Sequence, residues 1–345
     1  MRIESARALK LEMAATLLSR SSAIGLARSR FGVAAVGARA RAVSVAAPFP
    51  PPWGIALGIA AGRRRGDVRI AVRVRPEAGP AGAALRADLE RMAAGEVDFR
   101  HVGRIAKLAA RPVPWRQGRR RPLAIGVSAG HVAITAGTLG AFVRREAGGV
   151  MMLSNSHVFA DEGRAAHGDA ILQPAPDDRG RPTRDRVGAL EDFVPFRPRA
   201  ANPVDAAVAT IAERVAIEPA KLRGLGLVLG GLRDREIEPD DAVAKIGRTT
   251  GVTRGIVTAV EMDDVEVDFD VGRRRFDDQI EIEGGGARAF CDGGDSGSLI
   301  VDADGFGCGL LFAGSDEGGR NGQGLTYANP LSTVLRLLKL ELVSE

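Results

Sequence analysis

A Gly-Asp-Ser-Gly turn directly ahead of an apolar run is the first feature of this sequence that could carry chemistry. It lies in FCDGGDSGSLIV (residues 290–301), where Gly294 and Gly297 flank Ser296. Glycine accepts backbone angles that other residues resist, so a tight turn here would expose a hydroxyl and aim backbone N–H groups at one point. A serine becomes a nucleophile only beside a base, usually histidine, that a third group orients. Taken alone, such a turn is better read as a surface loop, so the rest of the chain must decide.

The order of the histidines along the chain limits the arrangements that could activate this serine. His101, His131, His157 and His167 all precede Ser296. This excludes the α/β-hydrolase order, in which serine comes first and histidine last, and the GxSxG motif of those enzymes is absent. The order Asp, His, Ser would need an acid from the basic N-terminal part and alternating strands and helices, which the rest of the chain does not show. The order His, Asp, Ser remains.

Residues suited to that order stand at positions 157 and 205. His157 follows an apolar strand pattern in VMMLSNSHVFA (150–160), and Asp205 is the single charge at the head of NPVDAAVATI (202–211). A carboxylate there would be partly buried and would need a donor such as an imidazole N–H. His157 precedes Asp205 by 48 residues, and Asp205 precedes Ser296 by 91. Each residue alone fits an ordinary structural role, and only the combination indicates a triad.

The length and composition of the chain limit the classes of protein to which it can belong. A chain of 345 residues is long enough for two or three domains, and 45% hydrophobic and 26% charged residues are ordinary for a globular protein. Glycine (44 residues) and proline (18) indicate many turns. No apolar window is long enough to predict a membrane span. Cys291 and Cys308 are expected to be free thiols, and no Cys and His cluster has metal-ligand spacing, so no metal or other cofactor is predicted.

The charge is unevenly divided along the chain. Residues 1–121 hold 24 Lys and Arg against 8 Asp and Glu, whereas residues 122–345 hold 24 against 35. The basic leader is therefore expected to contact the acidic body or an acidic partner such as nucleic acid or anionic lipid. No nucleic-acid-binding motif accompanies it, so specific nucleic-acid binding is not predicted. Charges interrupt every candidate h-region of a signal peptide, so a cytoplasmic location is expected, with secretion left open.

Changes in amino-acid composition and hydrophobic pattern along the chain predict its organisation. Residues 1–52 are expected to be a disordered basic leader that ends in the proline-rich AAPFPPPWG (46–54). Residues 53–121 are expected to be a small α+β unit, with a hairpin around GRRRGD, a short helix over 81–93 and a strand near 97–103. From residue 123 onward short apolar runs recur between Gly, Pro and Asp, which predicts sandwiches or barrels. Asn329-Pro330 then opens a C-terminal helix.

Four motifs in order resemble the chymotrypsin-fold serine proteases, particularly the bacterial, streptogrisin-like branch. They are SNSHVFA at the strand-end histidine, Asp205-Ala206-Ala207 at the Asp-x-Ala motif, GDSGS at the nucleophile loop, and the hairpin RTTGVTRG (248–255) that precedes it. The resemblance covers about residues 123–343 and implies a mainly β fold of two antiparallel six-stranded barrels. The first barrel (122–223) would carry His157 and Asp205, and the second (224–345) would carry Ser296 and the C-terminal helix.

The resemblance also implies roles for residues around the serine. The amides of Gly294 and Ser296 would form the oxyanion hole, with His157 the general base and Asp205 its orienting acid. Six residues before the nucleophile, Phe290 would lie at the base of the primary pocket, with the wall from Phe312, Ala313 and Gly314. We therefore expect a preference for small or apolar residues rather than basic ones.

Activation is expected without a cut near residue 122. Many relatives pair a new N-terminus with the acid before the nucleophile, here Asp295, but RPLAIG (121–126) lacks the usual junction. Bacterial relatives use an internal cation instead, and Lys245 or Arg248 could serve. The function expected is a serine endopeptidase acting on polypeptides. The alternatives are a noncatalytic peptide-binding or scaffold protein with a protease-like fold, and an esterase using the same triad.

Overall fold

The computed structural model of this chain describes residues 1–30, 55–62, 64, 67–74, 87–103, 105–106 and 116–344. Its helices are α1 (Ile3–Arg30), α2 (87–92), α3 (Ser156–Phe159), α4 (Pro182–Asp185) and α5 (Leu331–Leu338). The strands before and within the first barrel are β1 (Ile55–Ala61), β2 (Val68–Val74), β3 (Val97–His101), β4 (Ile105–Ala106), β5 (Leu123–Ala124), β6 (Ser128–His131), β7 (Gly137–Thr138), β8 (Ala141–Arg144), β9 (Val150–Ser154), β10 (Ala170–Leu172), β11 (Arg186–Phe193) and β12 (Ala207–Thr210). The later strands are β13 (Ile217–Glu218), β14 (Lys221–Leu222), β15 (Leu227–Val228), β16 (Ala242–Gly247), β17 (Gly251–Asp263), β18 (Val265–Phe269), β19 (Gly272–Phe276), β20 (Gln279–Gly284), β21 (Leu299–Asp302), β22 (Gly307–Ser315), β23 (Thr326–Pro330) and β24 (Glu341–Leu342).

The second barrel is a closed antiparallel ring of six strands. β16 pairs with β17, β17 with β20, β20 with β23, β23 with β22, β22 with β21, and β21 with β16 again. Val257, Ile282 and Leu311 are among the side chains buried inside. The short apolar runs that the sequence shows from residue 123 onward thus form the strands of this barrel. The C-terminal end of β22 extends past its pairing with β21, and Gly314 and Ser315 there pair with β4.

The first barrel has the strand order β8-β9-β12-β11-β10-β6-β7 and forms a half-barrel. β7 and β8 follow each other in the chain. The backbone of Leu139 between them spans the seam, with 2.9 Å and 2.8 Å hydrogen bonds to Val127 and Gly126. The strand bends at Gly140, where an added Cβ would lie 2.1 Å from the carbonyl oxygen of Gly297 in the other barrel. The predicted mainly β class with two antiparallel barrel units is confirmed, and the first unit is the less regular.

The predicted C-terminal helix is α5. Its four buried residues pack in the same core cluster as the first barrel: Leu331, Val334, Leu335 and Leu338. Pro330 occupies the N-cap position, and Lys339 ends the helix in the left-handed region at φ 55°. The apolar stripe at three- and four-residue spacing therefore faces the core, as the sequence predicts.

The N-terminal unit continues the sheet of the second barrel. β1 pairs antiparallel with β17 on one side and with β2 on the other, and β3 runs parallel to β2. The predicted hairpin is thereby confirmed, and residues 87–92 of the expected helix are helical. The predicted linker 46–54 lies outside the described residues. Because strands from both sides of the predicted boundary share one sheet, the division of the chain into domains stays a prediction.

A buried ion pair joins this unit to the second barrel. Arg73 of β2 donates two 2.8 Å hydrogen bonds to the carboxylate of Glu281 in β20, and neither side chain is exposed to solvent. Thr258 and Tyr327 donate to the same carboxylate, at 2.8 and 3.3 Å. Burial alone would raise the pKa of Glu281, but Arg73 beside it holds that pKa below its ordinary value. Removing one partner would leave an uncompensated buried charge.

Helix α1 contacts the acidic body of the chain. Arg7 donates a 2.7 Å hydrogen bond to Glu261, and Lys10 lies 2.8 Å from a carboxylate oxygen of Asp263. We expected residues 1–52 to be disordered. Residues 3–30 are helical, and residues 31–52 lie outside the described part. None of the described helices is long and apolar enough to cross a membrane. Two cations of the leader, Arg7 and Lys10, thus pair with carboxylates of the acidic body.

Candidate active site

His157 lies just beyond the end of a buried strand. β9 ends at Ser154, and the chain turns directly into the short helix α3, of which His157 is the second residue. All four residues of α3 are buried, so the imidazole is fixed by packing against the barrel end. The side chain of Asn155 does not cap the helix. Its Nδ2 donates a 2.7 Å hydrogen bond to the carbonyl of Asp205, which ties the histidine turn to the segment that carries the acid.

Asp205 contacts His157 through both of its carboxylate oxygens. Oδ2 lies 2.5 Å from the imidazole Nδ1, and Oδ1 accepts a 3.2 Å hydrogen bond from the backbone amide of His157. Asp205 is fully buried and His157 is 8% exposed. A buried carboxylate on Nδ1 places the imidazole proton there and leaves Nε2 free to act as an acceptor. The structure therefore brings these two predicted residues together, 48 positions apart in the chain.

The serine lies in a glycine-shaped loop, the nucleophile loop (residues 291–298). Gly294 and Gly297 adopt φ values of +88° and +92°. An added Cβ on Gly294 would lie 2.8 Å from side-chain atoms of Arg248 and Thr249, so both its angle and its space require glycine. In the described part of the chain, neither the amide of Gly294 nor that of Ser296 donates a hydrogen bond to a protein acceptor. Two such amides are available to bind an oxyanion.

Thr138 joins the histidine strand to the nucleophile loop. Its amide donates to the carbonyl of Ser296 and its hydroxyl to the carbonyl of Gly294, both at 2.8 Å. Its own carbonyl accepts a 2.8 Å hydrogen bond from the hydroxyl of Ser154, the last residue of β9. On the other side, a Cβ added to Gly297 would lie 2.1 Å from Oγ of Ser154. The loop is therefore packed against the end of β9, which leads into the helix that contains His157.

The hydroxyl of Ser296 is not hydrogen-bonded to the imidazole of His157 within 3.5 Å among the described residues. Ser296 is 3% exposed, and the surrounding contacts hold its backbone beside the strand end. Catalytic hydrogen bonds are often long until substrate binds and then shorten. The geometry therefore shows an oriented histidine next to the serine loop, and the proton transfer itself is taken up below as a proposal.

Asp295 is held by an internal cation. Lys245 donates a 2.9 Å hydrogen bond to its carboxylate, and neither side chain is exposed. The hydroxyl of Thr250 donates at 2.6 Å and the amide of Thr249 at 2.8 Å. Of the two candidate cations, the structure places Lys245 on Asp295. Arg248 was the wrong alternative, because its guanidinium reaches the carboxylate of Asp178, with Nε 2.7 Å from Oδ2.

The predicted pocket residues lie beside the nucleophile loop and are buried. Phe290 is 1% exposed and belongs to the core of the second barrel, and Phe312 and Ala313 are fully buried in a neighbouring cluster. Gly314 pairs with Ala106 of β4. Burial in the barrel interior stabilises a large apolar side chain more than exposure in a cleft does. Three of the four residues thus pack into the core, and the pocket assignment stays a prediction.

Two buried side chains are in contact beside the nucleophile loop. Sγ of Cys291 lies 3.0 Å from the hydroxyl of Thr326. Both cysteines, Cys291 and Cys308, are free and buried, and burial raises the pKa of each thiol to about 12. The expectation of free thiols is confirmed. In the described part of the chain, no group of three or more His, Cys, Asp or Glu side chains is placed to hold a metal ion.

Several residues that hold the site were missed by the motifs. Asn329 of β23 accepts a 3.0 Å hydrogen bond from the amide of Asp205, and its own amide group donates to Gln279 of β20 at 2.5 Å. Phe269 lies 5.8 Å from the His157 ring, centroid to centroid. The sequence shows Asn329 only as the residue before Pro330, which indicates a helix start. Its second role depends on which strands the folded chain brings together.

Several solved structures of proteases are similar to this chain. They include Thermobifida fusca protease A (18% identity, TM-score 0.45), which covers 65% of this chain and 100% of its own. They also include Cellulomonas bogoriensis chymotrypsin (16%, 0.44, 65% of this chain and 100% of its own) and Nocardiopsis protease (16%, 0.44, 64% and 99%). No protein-family model and no curated protein matches the sequence. At these identities and scores, the likeness concerns the fold alone, so the chemistry has to be judged from the residues of the site.

Three cavities lined by described residues lie away from these side chains, and the largest of the three, about 560 Å³, is lined by residues such as Arg186, Thr210 and Arg214. One of about 290 Å³ lies between the N-terminal unit and the second barrel, lined by residues such as Arg69, Asp98 and Arg100. Another of about 180 Å³ is lined by Arg233, Ile237 and Cys308. Cavity size therefore does not mark the candidate site, which is identified by the oriented imidazole and the free amides of the nucleophile loop.

Proposed function

We propose that this chain is a serine endopeptidase that cleaves polypeptides through an acyl-enzyme intermediate. The observation that carries the proposal is the 2.5 Å contact between Nδ1 of His157 and the buried carboxylate of Asp205, at a strand end that packs against the nucleophile loop. A buried carboxylate is costly unless it is paired, and the imidazole Nδ1–H supplies that partner for Asp205. The protease names of the similar structures agree with this reading.

The mechanism follows from the positions of these groups. Oγ of Ser296 attacks the scissile carbonyl carbon while Nε2 of His157 takes the hydroxyl proton. The amides of Gly294 and Ser296 donate to the oxyanion that forms, and one such donor is typically worth on the order of 100- to 1000-fold in rate. The imidazolium, stabilised by Asp205, then protonates the leaving amine. Water repeats the sequence on the acyl-enzyme and restores the serine.

The proposal is tested by labelling with a fluorophosphonate, which reacts with an activated serine. We expect covalent labelling of the native chain and its loss in Ser296→Ala and in His157→Ala. The matched control is Ser298→Ala, which removes the other serine of the loop, whose hydroxyl donates to the carbonyl of Asp295 at 2.6 Å. That variant should keep the label. Equal labelling of the native chain and Ser296→Ala would refute an activated serine and favour the noncatalytic scaffold.

Turnover then separates the two enzymatic alternatives. An endopeptidase should cleave internal bonds of an unfolded protein such as casein as well as a small ester, and both activities should vanish together in Ser296→Ala. Hydrolysis of esters alone, with no peptide cleavage at any enzyme concentration, would show that the same triad serves an esterase.

A further inference from the structure

The hairpin formed by β18 and β19 (residues 265–276) contacts the first barrel beside the candidate histidine. Phe269, the last residue of β18, has its ring centroid 5.8 Å from that of the His157 imidazole, and the two planes are inclined by 57°. The ring of Phe269 is itself fixed, because it is 7% exposed and packs in the core cluster that contains Phe276. Residues 269–272 form the hairpin tip. The sheet of the second barrel thus reaches the general base of the first.

The carboxylate of Glu162 holds the hairpin tip in place. Its Oε1 accepts a 3.2 Å hydrogen bond from the backbone amide of Asp270, and its Oε2 accepts one of 2.9 Å from the amide of Val271. The Glu162 side chain is 1% exposed. Arg164 adds an ion-pair contact, with Nη2 2.7 Å from Oδ1 of Asp161 and 3.8 Å from Oδ2 of Asp270. Hydrogen bonds to a carboxylate are stronger than those between neutral groups, and two on successive amides fix the orientation of the tip as well as its position.

The backbone around Glu162 adopts a conformation that surrounding contacts must stabilise. Asp161, Glu162 and Gly163 have φ values of +46°, +60° and +88°. Residues other than glycine seldom occupy this left-handed region, because their Cβ comes close to a backbone carbonyl oxygen. Such strain persists where neighbouring groups hold it, and it is concentrated at functional sites. Here the Glu162 carboxylate is held by two amides of the hairpin tip, five residues along the chain from His157.

Two contacts are needed to direct the second nitrogen of the imidazole. Asp205 binds Nδ1 of His157, but a hydrogen bond to one ring atom leaves the ring free to tilt about that atom. The χ2 torsion of histidine has only broad energy wells, so the side chain itself does not set the plane. A ring packed against the imidazole fixes this plane, and with it the direction in which Nε2 points. Phe269 provides that contact, and Glu162 fixes the place of Phe269.

We propose that Glu162 is a positioning residue for His157, which directs Nε2 toward Ser296 through its hold on the hairpin tip and Phe269. The inference rests on the proposed function, because the direction of Nε2 matters where it accepts a proton from Ser296. A displacement of about 1 Å in a catalytic group can cost on the order of 100-fold in rate. Activity then depends on how the hairpin of the second barrel packs on the first, although Glu162 itself takes no part in the chemistry.

Fluorophosphonate labelling of the full chain tests the proposal at the serine. Glu162→Gln keeps the shape of the side chain but replaces one acceptor oxygen by an NH2 group, which then faces an amide donor. We expect the labelling rate at saturating reagent to fall roughly tenfold, with the half-saturating concentration unchanged. The matched control is Asp302→Asn, because that carboxylate accepts two 3.0 Å hydrogen bonds from the amides of Asp304 and Phe306 at the C-terminal end of β21. The control should label at the native rate, and a native rate for Glu162→Gln as well would overturn the positioning role.

A second substitution separates action through Phe269 from general damage. Phe269→Leu keeps an apolar side chain in the core but removes the ring that lies against the imidazole, and it should also slow labelling roughly tenfold. If Glu162 acts through Phe269, the variant with both substitutions should label no more slowly than Phe269→Leu alone, because the two losses share one cause. Losses that multiply when the substitutions are combined would show that Glu162 acts by another route, and the proposal would be wrong.

Proton NMR observes the imidazole without any reaction at the serine. In Ser296→Ala, the Nδ1 proton of His157 should give a sharp resonance far downfield. Glu162→Gln in this background should broaden it, because a tilting ring exposes this proton to exchange with water. Asp302→Asn should leave the resonance sharp. An equally sharp resonance in all three chains would contradict the positioning role.

The native chain provides a measurement that does not depend on whether Glu162→Gln folds. The amides of Asp270 and Val271 should exchange their hydrogens slowly, because each is bound to a buried carboxylate. Exchange as fast as in an open loop would show that Glu162 does not hold the hairpin tip. Phe269→Leu then replaces Glu162→Gln in the NMR measurement, and an unchanged imidazole resonance in that variant would overturn the role of the ring.

Labelling and NMR together separate failure of this inference from failure of the proposed function. A native chain that takes no label, with the imidazole resonance broadened in Glu162→Gln, would sink the endopeptidase and keep the positioning of His157. Labelling that depends on Ser296, with the rate and the resonance unchanged in Glu162→Gln, would sink the positioning and leave the serine chemistry standing.

Discussion

The backbone amide of Asp205 donates a 3.0 Å hydrogen bond to Oδ1 of Asn329, so the second barrel helps to position the acid of the first. Both residues are fully buried. Asn329 is in turn held by Gln279, whose own amide group donates a 3.0 Å hydrogen bond to the carbonyl of Pro203 in the Asp205 segment. The orientation of the imidazole therefore depends on contacts across the junction of the two barrels, and Asn329 is a positioning residue.

Asn329→Ala should lower kcat with little change in KM. Without its amide the Asp205 segment loses one anchor, and a displacement of about 1 Å in a catalytic group can cost on the order of 100-fold in rate. The measurement is steady-state kinetics on a peptide substrate, with the folded fraction checked by near-UV circular dichroism. Asn321→Ala, at an amide remote from the His157–Asp205 pair, should keep both constants. A rise in KM with unchanged kcat would contradict the positioning role.

Asp205→Asn should reduce kcat by on the order of 10⁴-fold, because the amide favours the wrong imidazole tautomer and leaves the imidazolium unsupported. The chain offers a matched control in His131 and Asp169, a second His–Asp contact of 3.2 Å in which the side chain of Asp169 is 40% exposed. Asp169→Asn should leave kcat unchanged. Comparable losses in the two variants would show that the deficit comes from general destabilisation rather than from the site.

Lys245→Met should destabilise the fold strongly. It would leave Asp295 as a buried charge without its cation, and breaking such a pair typically costs about 3–5 kcal/mol in the free energy of unfolding. The double variant Lys245→Met with Asp295→Asn removes the charge as well and should recover part of that loss. Urea denaturation of the native chain, the single variant and the double variant measures the coupling. A single variant as stable as the native chain would show that the threonine donors alone hold Asp295.

The Arg73–Glu281 pair should make stability depend on acid pH. The pKa of Glu281 in the folded chain lies below its ordinary value of 4.5. Its contribution to the free energy of unfolding is therefore complete above that ordinary value and is lost as the pH falls through the folded pKa. Asp264, Asp277 and Asp278 act with the opposite sign, because burial raises their pKa values. The contribution of the pair to the pH dependence of stability can therefore be measured only by comparing the native chain with a variant that lacks the pair.

That comparison uses Arg73→Met with Glu281→Met, which removes the pair and leaves the three aspartates in place. At pH 7 the double variant should lie within about 2 kcal/mol of the native chain in the free energy of unfolding, since buried pairs are often replaceable by apolar side chains. Between pH 5 and pH 3 the native chain should lose more stability than the double variant. Parallel pH profiles in urea denaturation would show that the pair does not titrate with unfolding.

Cleavage should occur after small residues. Phe290, Phe312 and Ala313 are buried, and Sγ of Cys291 lies 3.0 Å from the hydroxyl of Thr326 beside the loop. We expect a pocket with Phe290 at its base to leave little room for a bulky or charged side chain at the cleaved bond. Mass-spectrometric mapping of cut sites in a peptide library, with Ser296→Ala as the blank, measures the preference. A profile dominated by cleavage after Arg would contradict this view of the pocket.

The sequence by itself predicted the β class, the C-terminal helix and the three candidate residues. Strand alternation, the turn glycines and the residue types of a nucleophile, a base and an acid are local properties that the order of residues displays. Lys245 was one of two candidate cations on the same ground, because a buried acid before the nucleophile needs a charge partner. The choice between Lys245 and Arg248 could not be made locally, since it depends on Asp178 reaching the arginine from the other barrel.

Tertiary structure alone decided which groups meet across the two barrels. The sequence shows Asn329 only as the residue before a helix and Ile105–Ala106 only as part of an accessory unit. Phe290 was expected at the base of a pocket. The strand pairing of the folded chain decides which residues each of them contacts. Their neighbours are set by strand pairing, in which partners can lie more than 200 residues apart, as Ala106 of β4 and Gly314 of β22 do. Long-range pairing of this kind leaves no periodic trace in the sequence, because backbone hydrogen bonds are nearly independent of side-chain type.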